Sequence, residues 1–300
     1  MFIKLLINPL FSENTVPKIK LFLNKAQYMP IITLTTDLGY RDPYLAIVKV
    51  CLIKSIKDVQ IIDLSCDIKD NNISDAAFIL KNSIQHFPEN SIHLVGVKFI
   101  NSSSALGKNK GIDNTRYLLT KFKNQYVVSP DNGFITLLDE AYEGKVYQIF
   151  FNDASQHNFF MKDIFVDVAA HLAEGKPIEE VASETKDYYK AFQFSSFTSP
   201  ENLKGKSIYI DDFGNVITNI TKDQFYKSLG NRKFSIILPG TRISSISETY
   251  DDAKIGDALA IFNSFGYLEI ALNGKSAYKM LYPRDVGRSF DFNLIVEFND

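Results

Sequence analysis

The chain has little of what several common protein classes require. Among 300 residues there are two cysteines and four histidines. Cys51 and Cys66 supply neither a disulfide framework nor a metal-ligand spacing, so no metal is expected and a reducing cytoplasm is the natural setting. No run approaches the roughly 18 apolar residues of a membrane-spanning helix, so no membrane partner is expected. The formal net charge is −2 and the lysines are scattered, which leaves no electrostatic footprint for nucleic acid. Internal repeats and low-complexity tracts are missing as well.

What is there is 45% hydrophobic residues in 300, enough to bury a sizeable core, divided between two domains. Residues 1–29 stand apart as an N-terminal extension. Met1-Phe-Ile-Lys-Leu-Leu-Ile is faintly like a signal peptide, but the run is short, is broken by Asn8 and Pro9, and lacks a small-residue cleavage site. Two readings stay open. Either Met29 is the true start and the upstream segment is not native, or Pro17–Leu23 is a real extra helix packed against the domain.

From residue 30 the pattern is regular. Ile31–Thr35 reads as a buried strand, Pro43–Ile56 as a helix with proline in its first turn, Val59–Leu64 as a strand, Ile73–His86 as a helix and Ile92–Val97 as a third strand. That alternation predicts right-handed crossovers and a parallel sheet covered on both faces. Tyr117–Leu119 and Tyr126–Val128 read as a hairpin broken at Lys123-Asn124, and Asp163–Glu174 as a helix closed by Gly175 and Pro177. Residues 182–204 keep no period and read as a linker. Beyond them, alternating runs at Ser207–Ile210, Phe234–Leu238, Ala258–Phe262, Tyr267–Ala271 and Leu294–Phe298 predict strands. The fold expected is therefore an α/β N-terminal domain with a mainly parallel sheet, residues 30–181, followed by a small antiparallel β domain, residues 205–300.

Three stretches carry the chemistry: Ile31-Ile-Thr-Leu-Thr-Thr-Asp-Leu-Gly39, Ser129-Pro-Asp-Asn-Gly133 and Asp211-Asp-Phe-Gly-Asn-Val-Ile-Thr-Asn219. Each joins an apolar, strand-like run to carboxylates, carboxamides and glycine, the groups an α/β sheet presents to ligands at its strand ends. Singly, each could be an ordinary turn. With them stand Asp63-Leu-Ser, Ala76-Ala-Phe, His86-Phe-Pro-Glu-Asn-Ser-Ile-His93, Lys162-Asp-Ile-Phe, the run Ala169–Pro177 and the run Asn263–Gly274. In this order, over roughly nine-tenths of the chain, they resemble the S-adenosylmethionine (SAM) hydroxide adenosyltransferase family, relatives of fluorinase and chlorinase.

The resemblance implies a small-molecule ligand, SAM or adenosine, with no cofactor, and water attack at the ribose C5′ to give adenosine and methionine. It also implies a homotrimer whose site lies between subunits. A sulfonium is already a good leaving group, so the reaction asks for an aligned nucleophile and a dry site rather than a general acid. By the same resemblance Asp37 accepts from both ribose hydroxyls; the plainer reading is a helix N-cap. Asp211 and Asn215 hold the methionine ammonium, against a simple β-turn at Asp212-Phe-Gly. Phe213 is the adenine contact, against core packing. Ser264 matches a carboxylate-binding position. Asn132 orders the pocket floor or is a turn residue without ligand contact.

The nucleophile side departs from the family. Its hydrolases carry an Asp-Pro-Gly-Val-Gly turn after the third strand, an arginine beyond it, and a histidine before a later helix. Here Lys98-Phe-Ile-Asn-Ser102 falls at the turn, Phe160 at the histidine and Met161 at the following glycine. A gap-free count back from Pro130 puts the arginine at Arg116, behind a lengthened loop. Asp113 and His157 are close enough in sequence to restore the water-positioning role, against a reading of both as solvated loop residues. A hydrolase is expected, with a non-catalytic adenosine- or SAM-binding protein as the alternative and a SAM-dependent halogenase as a minor one. His86, His93 and His171 are expected to be structural.

Overall fold

The computed structural model describes residues 29–69, 72–97, 116–151, 159–192, 195–281 and 292–299. The N-terminal domain holds strands β1 (Ile31–Thr36), β2 (Gln60–Ser65), β3 (Ile92–Gly96), β4 (Tyr117–Phe122), β5 (Gln125–Pro130), β6 (Val146–Ile149) and β7 (Ala182–Thr185). Its helices are α1 (Tyr44–Ser55), α2 (Ile73–Ser83), α3 (Phe134–Leu138) and α4 (Val166–Ala173). The strands form one sheet in the order β2-β1-β3-β5-β4-β6-β7. The first four are parallel, as the alternating pattern predicts. The last three are antiparallel, so the sheet is mixed. The reason is local: Lys123 and Asn124 both take positive φ, 48° and 61°, the geometry of a two-residue hairpin. That hairpin reverses β4 onto β5, and β6 and β7 then add to its outer side.

Period-2 burial divides the sheet between two helical layers. Ile32, Leu34, Ile92 and Leu94 pack with α1 and α4. Val95, Val97 and Val127 pack with α2 and α3. On this second face Thr33, His93 and Gln125 form a buried polar row. His93 bonds Thr33 Oγ1 at 2.7 Å and Gln125 Oε1 at 2.8 Å, and Gln125 donates to the Ile84 carbonyl. Burial pulls the His93 pKa down to about 4, so the ring is neutral and structural, as expected.

The C-terminal domain is a second, antiparallel sheet. Its strands are β8 (Phe197–Thr198), β9 (Asn202–Ile210), β10 (Val216–Thr221), β11 (Lys233–Leu238), β12 (Thr241–Ile243), β13 (Ala258–Phe262), β14 (Tyr267–Leu272) and β15 (Asn293–Asn299). They run in the order β12-β11-β15-β9-β10-β14-β13, with β8 on β9. Leu203, Val216, Phe225, Ile270 and Val296 centre its core. Helix α5 (Lys222–Leu229), which the sequence reading does not anticipate, is started by Thr221, whose side chain accepts from Gln224 N–H.

The stretch read as a linker is shorter than residues 182–204. Its first four residues pair with β6 as the edge of the first sheet, and β9 begins at Asn202. The part between is tied down: Tyr189 N–H donates to Asp131 Oδ1 at 2.7 Å, and Ala191 N–H to Thr136 Oγ1 at 2.9 Å. The domains also touch directly, with Phe78 of α2 stacked on Tyr209 of β9 at 4.4 Å between ring centroids. Among the described residues no helix is long and apolar enough to cross a membrane, and no group of histidine, cysteine and carboxylate side chains could hold a metal.

Candidate functional site

The carboxyl ends of β1, β3 and β5 lie side by side, and the first two motifs occupy them. After β1 the chain bends at Asp37, which is half-buried. Gly39, at φ +67°, donates its N–H to the Cys66 carbonyl at 2.7 Å, and Ile68 N–H reaches the Thr36 carbonyl at 3.2 Å. Asp37 thus sits on a turn pinned to the end of β2. It is not a helix N-cap, because α1 starts at Tyr44 with Pro43 in the capping position. Cys66 beside it is no nucleophile. Burial first, and the Asp63 charge second, push its pKa up to about 11, so the thiol stays protonated. Two hydroxyls at these strand ends, Thr35 Oγ1 and Ser129 Oγ, are buried without a hydrogen-bond partner. Such groups call for an ordered water or a ligand.

The second motif builds the floor. Asn132 is buried; its Nδ2 donates to the Val97 carbonyl at 2.9 Å and its Oδ1 accepts from Phe134 N–H at 3.2 Å. It ties the end of β3 to the start of α3. Asp131, with its side chain 4% exposed, holds Arg116 at 2.6 Å through Oδ2 while Oδ1 accepts from Tyr189. Arg116 also reaches Asp187 at 2.8 Å. Its guanidinium is therefore bound by two carboxylates, one buried and one exposed. The sequence reading missed Asp187; Asp131 was within the quoted motif, unassigned. Gly133 has φ +92°, and a Cβ there would stand 2.5 Å from Ala191 Cβ, so only glycine lets the interdomain connection cross this turn.

Phe160, at the family's histidine position, is fixed in an aromatic cluster. It stacks on Tyr117 at 5.3 Å and meets Phe165 edge-on at 5.1 Å. Met161 is fully buried, with its sulfur 2.5 Å from where a Gly96 Cβ would be. A π-helical turn, Met161–Phe165, carries both into α4. The strand end next to Arg116 is thus lined by aromatic rings. Lys98, Asp113 and His157 lie outside the described residues.

The third motif forms the tight turn between β9 and β10 that the plainer reading allowed. Asp211 Oδ1 accepts from Asn215 N–H at 2.8 Å, and Oδ2 from Asn215 Nδ2 at 2.9 Å. Gly214, at φ +82°, lies against Ser276, where no Cβ fits. Phe213 at the tip is 81% exposed, so it is not a core residue. Ser264 is exposed on the turn before β14. Beneath it lies a buried carboxylate that the sequence reading passed over. Glu269, 2% exposed, accepts from Tyr250 Oη at 2.8 Å and Asn263 Nδ2 at 3.2 Å. Burial first, with a contribution from the Asp211 charge, raises its pKa. The signal for it was a lone charge within the apolar run Tyr267–Leu272. Asp75, at the start of α2, is raised to about 6, chiefly by burial. The charges of Asp75, Asp212 and Asp211 all act on Tyr209 between the domains. The face around the Asp211 turn is anionic and suited to a cation.

Residues 32–182 match the model of the SAM hydroxide adenosyltransferase N-terminal domain, and residues 205–284 that of the C-terminal domain. The chain belongs to the SAM hydroxide adenosyltransferase family. Within that family it is similar to an (R)-S-adenosyl-L-methionine hydrolase of Methanocaldococcus jannaschii, 27% identical, with 84% of this chain and 92% of the relative covered. A fluorinase of Actinopolyspora mzabensis is 26% identical, with 85% and 93% covered. Among solved structures, an uncharacterized conserved protein from Thermotoga maritima superposes with a TM-score of 0.74 at 26% identity, covering 88% of this chain and 99% of that one. At such identities the chain is a divergent member of the family.

Proposed function

We propose that the protein binds SAM and directs water onto the ribose C5′, releasing adenosine and methionine. The observation that carries this reading is the Asp211 carboxylate at the turn between β9 and β10, braced by Asn215, an arrangement suited to a cationic substrate. Asp37 takes the ribose hydroxyls, Asp211 and Asn215 the ammonium, Ser264 the carboxylate, and exposed Phe213 lies over the adenine. Asn132 shapes the floor through its two backbone contacts. The displacement needs no cofactor, because the sulfonium leaves unaided. Since Arg116 is paired to Asp131 and Asp187, it orients the water only alongside Asp113 or His157, and the apolar wall of Tyr117 and Phe160 keeps competing water out. The assembly proposed is a cytoplasmic homotrimer, in which the Asp37 end of one subunit meets the Asp211 turn of the next.

A second reading has its own observation. Phe160, stacked on Tyr117 where the family hydrolases carry histidine, favours a protein that keeps the pocket and has lost turnover. Halide transfer is the minor alternative, since Lys98-Phe-Ile lacks the small polar turn that would strip a halide of water. One experiment separates the three: incubation with SAM, chromatography for adenosine with and without halide, and calorimetric titration beside it. Adenosine supports the hydrolase, binding without product the second reading, and a halogenated nucleoside the third. Neither binding nor product would sink them all.

A further inference from the structure

Glu269 stands in the middle of β14 between Leu268 and Ile270 and is 2% exposed. A carboxyl group in such a setting costs stability unless its oxygens find donors. Both do. Oε1 accepts from Tyr250 Oη at 2.8 Å, and Oε2 from Asn263 Nδ2 at 3.2 Å. Asn263 turns its other side-chain atom to the loop that follows it. Its Oδ1 accepts from the N–H groups of Phe265 and Tyr267, both at 3.1 Å. Its main-chain carbonyl accepts from Gly266 N–H at 2.9 Å, and its own N–H donates to the Tyr267 carbonyl at 3.0 Å. The exposed turn that carries Ser264 is thus tied to the core through one carboxamide, and Glu269 sets which way that carboxamide faces. With Nδ2 held by the carboxyl group, Oδ1 is left to the turn.

We propose that Glu269 is a positioning residue for the methionine end of SAM, holding the Ser264 turn in a fixed relation to the Asp211 turn by way of Asn263. This rests on the reading above, in which Ser264 takes the carboxylate and Asp211 with Asn215 the ammonium. In an amino acid those two groups hang on one carbon, so the turns that bind them must keep their spacing. The sheet supplies the link. Glu269 pairs with Ile217 of β10, two residues beyond Asn215, and with Ile261 of β13, two residues before Asn263. The strand that carries the brace therefore lies in register between the two turns. The Asp211 charge acts on both Tyr250 and Glu269, which sets the brace beside the ammonium end. Burial raises the Glu269 pKa, yet the brace does not depend on a charge. A neutral carboxyl can donate its hydroxyl to Tyr250 Oη and still accept from Asn263. Tyr250 can reverse its part because a hydroxyl both donates and accepts, whereas the amide of Asn263 only donates.

The test is calorimetric titration of the full chain and its variants with SAM and with adenosine, which lacks the methionine end. Where SAM turns over, KM is read in place of Kd. Glu269→Leu removes both acceptors and should bind SAM about 10- to 150-fold more weakly than the parent, the loss of one hydrogen bond to a charged group, with adenosine affinity held within about twofold. Glu269→Gln should bring SAM affinity back to near the parent's, its oxygen accepting from Asn263 and its amide donating to Tyr250. Retained adenosine binding also reports a folded variant. If Glu269→Leu bound neither compound, the same comparison in Asn263→Ala, at a half-buried position, decides: a loss confined to SAM supports the brace, and no such loss overturns it. Unchanged SAM affinity in Glu269→Leu, equal losses for the two compounds, or a Gln variant as weak as the Leu variant would also overturn the proposal. A parent without affinity for SAM fails at an earlier point and sinks the proposed function together with this inference.

Discussion

Removing the carboxylate of Asp131 should destabilise the protein far more than removing that of Asp187, although both bind the same guanidinium. The two differ in burial: 4% of the Asp131 side chain is exposed, against 91% for Asp187. Asp131→Ala strips Tyr189 of its acceptor and leaves Arg116 with an exposed partner only. A lost charge-assisted bond with a stranded donor is worth about 2–4 kcal/mol. Asp187→Ala removes an exposed ion pair, worth at most about 0.5 kcal/mol. At about 2–4 °C per kcal/mol, the midpoints should fall by about 4–16 °C and by no more than about 2 °C. The chain has no tryptophan, so unfolding is best followed by far-UV circular dichroism. Arg116→Met should resemble Asp131→Ala, and the two together should cost clearly less than their sum, since they break one contact. Equal shifts for the two aspartates, or full additivity, would refute the view that Arg116 is anchored through the buried one.

Three further outcomes are expected. Asp37→Ala should weaken adenosine binding by about 1.5–3 kcal/mol in calorimetry while moving the unfolding midpoint little; unchanged affinity would remove Asp37 from the ribose site. Gly133→Ala should cost about 3 kcal/mol, from strain at positive φ and overlap with Ala191, and a neutral result would count against the crossing of turn and connection. The third outcome concerns pH. The carboxyl of Asp75, raised to about 6, prefers its neutral form when folded, so its contribution is fully present below the unfolded value and is lost as pH rises to about 6. His93, lowered to about 4, has the opposite sign: its contribution is present above 6.5 and is lost as pH falls to about 4. The two nearly offset in the parent. Asp75→Asn should therefore gain stability relative to the parent between pH 4 and 7, and parallel urea-unfolding profiles would contradict this.

Much of the N-terminal domain was legible because its strands and helices alternate with unbroken periods. The helix expected from Pro43 is observed from Tyr44, and the hairpin turns at Lys123-Asn124 as read. Strands β6, β7 and β12 escaped because they are three or four residues long, too short for a period to register. Strand β10 was read as part of a motif, and its neighbour α5 begins inside the same sheet's turn, where apolar residues are few. At the site, motif residues were found by identity, but their partners were not. Asp187 and Tyr189 reach Arg116 and Asp131 across more than fifty residues of sequence, a contact that no local spacing encodes. Glu269 shows the same limit, since its partner Tyr250 comes from a separate loop.

The most direct test of the central claim is incubation of the purified protein with SAM in water enriched in oxygen-18, with mass spectrometry of the nucleoside formed. The account predicts adenosine carrying the heavy oxygen at its 5′ hydroxyl, beside one methionine for each adenosine. Unaltered SAM together with no heat of binding in calorimetry would contradict it.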